Sequence, residues 1–397
     1  MPQELSRRTI IRSLLAAATT GFIALPMRKA LSAQSADGGV TGGVTGRERG
    51  DMGRIAGAFR RTYSAPGLSV AIARNGQFVF DHSIGMAYHP KLQQVVQSTL
   101  FRIASVTKPI TAVTIFKLIE KGQLNLTDKV FGGSGILGTK YGKLPYKQYV
   151  TDITVDHLLT HTCGGWPNDS TDPMFRFNSW DQAKLIGWTL QNLPLSYPPG
   201  QHWAYSNFGF CVLGRVIEQV TGQPYADYVQ ADVLAPCGIS DMAIARNKLS
   251  ERLPNETEYT GQYSEDPYKM NVTRMDSHGG WLATPSDLVL FLNHLGGFPN
   301  NPSLLKPETI QIMTTPSLAY PQSSPARYAR GWMVRTDTPG TWWHSGSLPG
   351  STSLMVRTAT GMSWAALVNT RTEPHAEMDN ALDAMMWTMV RTVPGWG

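Results

Sequence analysis

The sequence predicts an α+β fold in which a central antiparallel sheet is flanked by helices and a long, mostly helical region separates its two groups of strands. The first observation behind this prediction is an N-terminal hairpin. An apolar run at 67–74 is followed by Asn75-Gly76, the strongest short hairpin signal, and by a returning run at 77–80. The second observation is a C-terminal series of short segments rich in apolar and aromatic residues, at 331–335, 342–346, 353–357 and 363–368. Between the two groups, helical periodicity prevails.

The helices are predicted from apolar residues at helical spacing and from residues that start or stop helices. They are expected at about 51–63, 105–121, 208–220, 288–295 and 376–392. Thr154 is placed to cap a further short helix, and Thr284 with Pro285 opens the helix before residue 288. The stretch at 131–150, rich in Gly, Lys and Tyr, is expected to be an irregular excursion.

Composition and charge exclude two classes of partner. The 397 residues are 42% hydrophobic and 16% charged, enough for a sizeable core. Residues 1–33 carry +4 of the net charge of +6, so the remainder is close to neutral and shows no basic run. We therefore expect no nucleic-acid partner. No stretch of about 20 apolar residues predicts a permanent membrane span.

The N-terminus has the features of an export signal. Arg7 and Arg8 precede a modestly apolar stretch at 14–26, and small residues follow at 30–35. This resembles a bacterial twin-arginine signal peptide, which we place at 1–35, with a basic amphipathic tail as the alternative. The protein is then expected in the periplasm or secreted. A Gly/Thr-rich flexible linker is predicted at 36–50, and one folded domain at 51–397.

The three cysteines do not form a disulfide framework. Cys163, Cys211 and Cys237 are too few and odd in number, so at most one bridge can form. Cys211 lies within a predicted helix among apolar neighbours, which is typical of an inert, buried thiol.

Ser105 and Lys108 lie at the start of the predicted helix that ends before Gly122. Three residues are about one helical turn, so the two side chains share a face. A serine becomes a nucleophile when a neighbour takes its proton, and a buried lysine of lowered pKa does this. The alternative, without a catalytic role, is a helix start with an exposed lysine. A second Ser-x-x-Lys, Ser303 to Lys306, lies between prolines and is a weaker candidate.

Tyr205 and Asn207 form the one Tyr-x-Asn in the chain. Two residues apart in a loop, their side chains can enter one cavity. The tyrosine is a candidate base or proton relay, and the asparagine offers both a donor and an acceptor. The alternative is a helix-start loop with an Asn cap. The aromatic residues at 166–203 are expected to be mainly core, with some lining an apolar substrate pocket.

A zinc site is the alternative for His157 and His161, whose spacing of four is used by zinc ligands on a helix. No Glu follows His157 as in zinc proteases, and no third ligand is placed nearby. We therefore expect no metal.

A third motif completes a set in fixed order: Ser105-x-x-Lys108, Tyr205-x-Asn207 and then His344-Ser345-Gly346 on a predicted strand. In this order the chain resembles the serine hydrolase family that contains class C β-lactamases, D-alanyl-D-alanine carboxypeptidases and related esterases. The likeness covers nearly all of residues 54–390.

The resemblance implies a β-lactamase-like fold of two regions. One is the antiparallel sheet with helices on both faces, and the other is a mostly helical region at about 125–285. The site would lie in the cleft between them, with neither metal nor organic cofactor.

The resemblance also implies roles for individual residues. Ser105 would form an acyl-enzyme, with Lys108 and Tyr205 sharing the role of base. Asn207 would hold the substrate, and the N–H groups of Ser105 and Ser347 would form the oxyanion hole. On the strand that carries the third motif, the substrate would bind against His344, Ser345, Gly346 and Ser347.

His344 departs from the pattern of the β-lactamases, which usually have Lys there to bind the substrate carboxylate. A neutral histidine serves this less well. We therefore expect an exported serine acyl-hydrolase for esters or D-amino-acid peptides, with weak β-lactam turnover. The alternative is a penicillin-binding or scaffold protein with little turnover. No Gly-x-Ser-x-Gly elbow is present, which disfavours an α/β-hydrolase.

Overall fold

The structure is a computed structural model that describes residues 43–262 and 265–396. The proposed signal peptide at 1–35 and residues 36–42 of the proposed linker lie outside the described residues. The strands are β1 (Gly67–Arg74), β2 (Gln77–Tyr88), β3 (Gln93–Gln94), β4 (Phe101–Arg102), β5 (Ala243–Ile244), β6 (Trp281–Ala283), β7 (Ala326–Tyr328), β8 (Met333–Arg335), β9 (Trp342–Leu348), β10 (Ser351–Arg357) and β11 (Met362–Val368). The helices are α1 (Gly46–Thr62), α2 (Thr107–Glu120), α3 (Val155–Leu159), α4 (Gln182–Asn192), α5 (Asn207–Thr221), α6 (Tyr225–Val229), α7 (Pro285–Asn293), α8 (Pro307–Thr314) and α9 (His375–Arg391).

The two ends of the domain meet in one antiparallel sheet. Within the described residues its strand order is β3-β2-β1-β11-β10-β9-β8-β7, so the N-terminal hairpin pairs directly with the last strand. Asn75 and Gly76, at φ 50° and 79°, make the predicted hairpin turn between β1 and β2. A small sheet, β4-β6-β5, lies beside the main one. The predicted antiparallel sheet is confirmed, and β2 is longer than expected.

Alternate residues of the central strands face different helices. Val70 and Ile72 of β1 pack with Trp364 of β11 into a core formed with α1 and α9. Ala71 and Ala73, on the opposite face, belong to the larger core that contains α7. Small side chains on this second face let α7 lie close to the sheet. The predicted layers, with helices on both faces of the sheet, are therefore present.

The first helix begins earlier than the sequence analysis placed it. Thr45 caps α1 by accepting a hydrogen bond from the Glu48 N–H, and the Glu48 carboxylate accepts from the Thr45 N–H at 2.7 Å. This capping box starts the helix at Gly46. The prediction of a flexible linker over 36–50 is therefore wrong for residues 46–50, whose Gly and Arg content concealed the cap.

Helices account for most of the regular structure between β4 and β7, and α2, α3 and α6 pack against α5, which is buried along most of its length. Residues 131–149 form turns rather than helix or strand, as expected. Among the described residues, no helix combines the length and apolar character needed to cross a membrane. The predicted α+β fold is confirmed.

The three cysteines are buried and none forms a disulfide. Burial raises the pKa of Cys163 to about 11 and the pKa of Cys211 to about 12, which keeps both thiols protonated. Cys211 lies within α5, as expected of an inert packing residue.

Candidate active site

Ser105 lies on a tight turn between β4 and α2. Residues Ala104–Val106 form one turn of 3-10 helix, and Ala104 has a left-handed φ of 46°, which is uncommon for a residue with a side chain. The turn is fixed from the sheet side: the Ser353 hydroxyl donates to the Ile103 carbonyl at 2.7 Å, and the Ser351 hydroxyl donates to the Arg102 carbonyl at 2.6 Å. Strand β10 therefore sets the position of Ser105.

Gly346 of β9 packs directly on this turn. A Cβ at this position would lie 2.4 Å from the Ile103 carbonyl oxygen and 2.9 Å from the Ser105 nitrogen. Real Cβ atoms do not approach backbone atoms so closely. Only glycine lets β9 lie against the Ser105 backbone, and this contact brings the third motif to the first.

Lys108 is completely buried and surrounded by three acceptors. Its Nζ lies 3.1 Å from Ser105 Oγ, 2.7 Å from Asn207 Oδ1 and 3.0 Å from the His278 carbonyl oxygen. Burial lowers the pKa of Lys108 well below its ordinary value, and the charge of Asp172 opposes this shift only in part. The alternative of a helix start with an exposed lysine is therefore wrong.

Tyr205 lies in the loop immediately before Ser206, the N-cap of α5. Its ring centroid is 4.7 Å from Lys108 Nζ. Burial raises the pKa of Tyr205 above its ordinary value, and a hydrogen bond with Ser105 opposes the rise. Tyr205 is thus a neutral phenol in the free protein. This suits a proton relay better than a general base that is already a phenolate before the substrate binds.

Asn207 is the first residue of α5, and the cap of that helix is Ser206, whose hydroxyl accepts from the Gly209 N–H. The alternative of an Asn cap is therefore wrong, because the Asn207 side chain is turned toward the site. Its Nδ2 donates to Asn168 Oδ1 at 2.9 Å and to Asp172 Oδ2 at 2.8 Å. These two acceptors turn the amide oxygen toward Lys108.

Asp172 belongs to this cluster and was missed by the sequence analysis. It is almost fully buried, and burial raises its pKa to about 6 despite the hydrogen bond from Asn207. Its other oxygen accepts from the Met174 N–H at 2.8 Å, so it also caps a short 3-10 helix. An Asp before Pro173 is typical of such a cap, and no local pattern distinguishes it from a residue of the site.

His344 is buried on β9 and held at both ring nitrogens. Its Nδ1 lies 2.6 Å from the Ser345 carbonyl oxygen, and its Nε2 lies 3.1 Å from the Tyr328 hydroxyl. Burial, with the charge of Lys108, lowers the pKa of His344 to about 3, so the ring is neutral. Ser345 and Ser347 alternate with it along the strand and are half-buried.

The cluster lies in a cleft of about 1040 Å³. One wall is aromatic, with Phe175, Trp203, Tyr205, Tyr328 and Trp343. The polar side chains of Ser105, Asn168, Ser345 and Ser347 also line it. Two of the aromatic residues predicted at 166–203 therefore line a pocket, while Trp166 is buried in the core against Phe208, with ring centroids 4.8 Å apart.

The two histidines of the zinc alternative do not share a helix face. α3 ends at Leu159, and His161 has a left-handed φ of 59° beyond that end. His157 Nδ1 accepts from the Thr154 N–H at 3.1 Å as part of a capping box. In the described ranges, no group of three His, Cys, Asp or Glu side chains is placed to bind a metal ion.

The second Ser-x-x-Lys motif is a surface turn. Ser303 and Lys306 are exposed, and the Ser303 hydroxyl donates to the Leu305 carbonyl at 2.7 Å. Lys306 is the residue before α8. The structure therefore brings only the first of the two motifs together with the tyrosine loop and β9.

The β-lactamase family model matches residues 48–385. A penicillin-binding protein of Bacillus subtilis (strain 168) is 27% identical over 319 residues, which cover 73% of this chain and 64% of that protein. Esterase EstB of Burkholderia gladioli is 35% identical over 191 residues, 44% of this chain and 46% of the esterase.

A D-amino acid amidase of Ochrobactrum anthropi SV3, solved with L-phenylalanine amide, superposes with a TM-score of 0.70 at 21% identity, covering 86% of this chain and 98% of the amidase. This likeness shows the fold. The two curated relatives are matched over less than two thirds of their own lengths. The family match, by contrast, spans nearly all of the described domain. The chain therefore belongs to the β-lactamase family of serine hydrolases.

Proposed function

We propose that the protein is an exported serine acyl-hydrolase that forms an acyl-enzyme on Ser105 and acts on esters or on D-amino-acid peptides and amides. The observation that carries this proposal is the environment of Lys108. Two of its three neighbours, the Asn207 amide oxygen and the His278 carbonyl oxygen, can only accept hydrogen bonds. They therefore take both N–H groups of a neutral amine.

The remaining lone pair of that amine points at Ser105 Oγ, 3.1 Å away. Because burial lowers the pKa of Lys108 and favours its neutral form, it favours a free lone pair on this amine. Lys108 accepts the Ser105 proton as Oγ attacks the substrate carbonyl carbon. The new ammonium keeps its bonds to both acceptors and donates the third to Ser105.

Tyr205 is the relay to the leaving group. It is hydrogen-bonded to Ser105 and its ring lies beside the Lys108 amine, so a proton can pass through its hydroxyl. As the acyl–oxygen or acyl–nitrogen bond breaks, the leaving alcohol or amine takes that proton. Water then attacks the acyl-enzyme by the reverse route, giving the acid and free Ser105.

The oxyanion formed in each step requires donors fixed in advance. We assign these to the N–H groups of Ser105 and Ser347. The contact of Gly346 with the Ser105 nitrogen supports this assignment, since it places β9 against the Ser105 turn. The side chains of Ser345 and Ser347 line the cleft beside it.

The aromatic wall favours substrates with an aryl or other bulky apolar group. Esters are the first choice, since a curated relative that is 35% identical over 191 residues is an esterase. D-Amino-acid amides are the second, from the structural likeness to the amidase. β-Lactam turnover would be weak, because a neutral, hydrogen-bonded His344 is a poor anchor for the β-lactam carboxylate.

The test is burst kinetics with a p-nitrophenyl ester of a short fatty acid and with a D-amino-acid p-nitroanilide. Where hydrolysis of the acyl-enzyme is slower than its formation, acylation of Ser105 predicts release of about one equivalent of chromophore before steady turnover. Ser105→Ala abolishes both phases, and Ser303→Ala, the matched control, abolishes neither. A burst that persists in Ser105→Ala moves the nucleophile elsewhere. A burst with penicillin but no steady turnover of any substrate favours the penicillin-binding or scaffold alternative.

Export is proposed from residues 6–35, which lie outside the described residues. Fractionation of bacteria that express the full chain, with Arg7 and Arg8 replaced together by Lys, tests it. The wild-type chain should appear in the periplasm or medium in a shortened form, and the variant should remain in the cytoplasm at full length.

A further inference from the structure

We propose that Tyr328 sets the charge selectivity of the cleft, because its hydroxyl occupies the nitrogen of His344 that would otherwise be free to bind a substrate carboxylate. The substrates are then uncharged esters or amides whose leaving group lacks a carboxylate. This inference rests on the proposed acyl-hydrolase function and deepens it.

The hydrogen bonds define the tautomer of His344. The Ser345 carbonyl oxygen can only accept, so at 2.6 Å His344 Nδ1 must carry the proton and donate. In a neutral imidazole, Nε2 is then an acceptor, and the Tyr328 O–H donates to it across 3.1 Å. The ring therefore has no N–H left for a substrate.

Tyr328 and His344 depend on each other. Both side chains line the cleft, yet only 1% of Tyr328 and 4% of His344 is exposed. A buried hydroxyl without an acceptor is costly, so Tyr328 has a strong reason to keep donating to Nε2. Protonating Nε2 would reverse this hydrogen bond and leave the Tyr328 O–H without its acceptor, and burial already disfavours positive charge on the ring.

The other basic side chains that line the described part of the cleft are paired with carboxylates. Arg371 forms ion pairs with Glu265 and with Glu373. His375 donates from Nδ1 to Asp379 Oδ2 at 3.0 Å. A substrate carboxylate would therefore find acidic groups beside each of these cations and no unpaired cation. The ion pairs of Arg371 and His375 and the hydrogen bond between Tyr328 and His344 therefore all disfavour substrates that carry a carboxylate.

The first experiment compares two aryl esters that differ only in a meta-carboxylate on the leaving phenol. Wild-type kcat/KM should be at least about tenfold higher for the neutral ester, the effect of about 1.4 kcal/mol. Tyr328→Phe should narrow this ratio several-fold, mainly through a lower KM for the charged ester, because a carboxylate that enters beside the unpaired Nε2 then stabilises a proton on it against the effect of burial.

Tyr320→Phe is the matched control, since Tyr320 packs on Trp203 of the same wall but does not contact His344. Its ratio should equal that of the wild type. Equal kcat/KM for the two esters in the wild type, or an unchanged ratio in Tyr328→Phe, would overturn the proposal. If the selectivity is absent but ester hydrolysis is lost in Ser105→Ala, this inference fails while the proposed acyl-hydrolase function stands. The two failures are therefore distinguishable.

The second experiment needs no change at Tyr328. Histidine ¹⁵N spectra of the wild type, with the His344 signals identified by their loss in His344→Gln, report the tautomer directly. The proposal requires the neutral form protonated at Nδ1. An imidazolium ring, or a ring protonated at Nε2, would show that Tyr328 does not close this nitrogen and would overturn the inference.

Discussion

The Asn207 amide oxygen lies 2.7 Å from Lys108 Nζ, and its orientation is set from the other side by Asp172, which accepts from the same amide at 2.8 Å. A reversed amide would place an NH₂ group against the lysine and an oxygen against a carboxylate. Asp172 therefore fixes which atom of Asn207 faces Lys108. Lys108 can then direct its remaining lone pair at Ser105 Oγ.

Asp172→Asn should shift the acid limb of the kcat/KM profile to lower pH. The Asp172 charge raises the pKa of Lys108 against the larger effect of burial, so removing it lowers that pKa further. Lys108 is then neutral, and active as a base, at lower pH. The plateau should fall about tenfold or more, because the ammonium that forms during acylation loses its nearby counter-charge.

Asp169→Asn is the control for this shift. Asp169 also lines the cleft but bonds the exposed Thr171 rather than Asn207, so the same change of charge should leave the limb in place. A limb that moves to higher pH in Asp172→Asn, or moves equally in both variants, would contradict the role given to Asp172.

Lys108→Met should reduce the acylation rate by about 10²–10⁴-fold, the usual contribution of a general base. The apolar side chain fits the buried site but cannot accept a proton. Stopped-flow measurement of the burst with a p-nitrophenyl ester reports this step. Lys306→Met, in the exposed second motif, should leave the burst rate at the wild-type value. Loss of the burst in Lys306→Met but not in Lys108→Met would mean that the nucleophile is Ser303, not Ser105.

Gly346→Ala should impair both activity and stability. The added Cβ would meet the Ile103 carbonyl oxygen at 2.4 Å, and backbone atoms cannot move aside without displacing the Ser105 turn from β9. Overpacking of this kind costs about 1–3 kcal/mol of unfolding free energy. Denaturant unfolding and ester turnover measure the two effects.

The comparison for Gly346 is Gly133→Ala, where an added Cβ meets nothing within 4 Å. Unfolding and turnover of that variant should match the wild type. Full activity in Gly346→Ala would mean that the close contact between β9 and the Ser105 turn is not needed for the reaction.

Dialysis against EDTA should leave ester hydrolysis unchanged. Thr154 occupies His157 Nδ1 within a helix cap, and His161 lies beyond the end of that helix, so the two do not form a paired metal site. Rates before and after dialysis, with zinc added back to one sample, check this. Loss on dialysis and recovery with zinc would revive the metal alternative.

The sequence predicts much of the fold because its signals are local. Strand β1 occupies the expected range, Asn75-Gly76 makes the expected turn, and Thr154 caps the expected helix. Ser105, Lys108, Tyr205 and Asn207 come together as their order in the chain suggests. In each case a short pattern carries the information.

The residues that sequence analysis missed act through contacts distant in the chain. Asp172 reaches Asn207, 35 residues away, and locally reads as a helix cap. Tyr328 reaches His344 from another strand of the sheet. Gly346 was predicted as part of the third motif, but its contact with the Ile103 backbone, more than 200 residues earlier, was not. None of these contacts has a spacing or composition that a single sequence reveals.

Intact-mass analysis after incubation with a fluorophosphonate tests the central claim, that Ser105 is a nucleophile activated by Lys108, most directly. The wild-type protein should gain the mass of one phosphonyl group, and Ser105→Ala should gain none. Lys108→Met should label much more slowly than the wild type. An adduct of equal yield in Ser105→Ala would contradict the account and place the nucleophile on another residue.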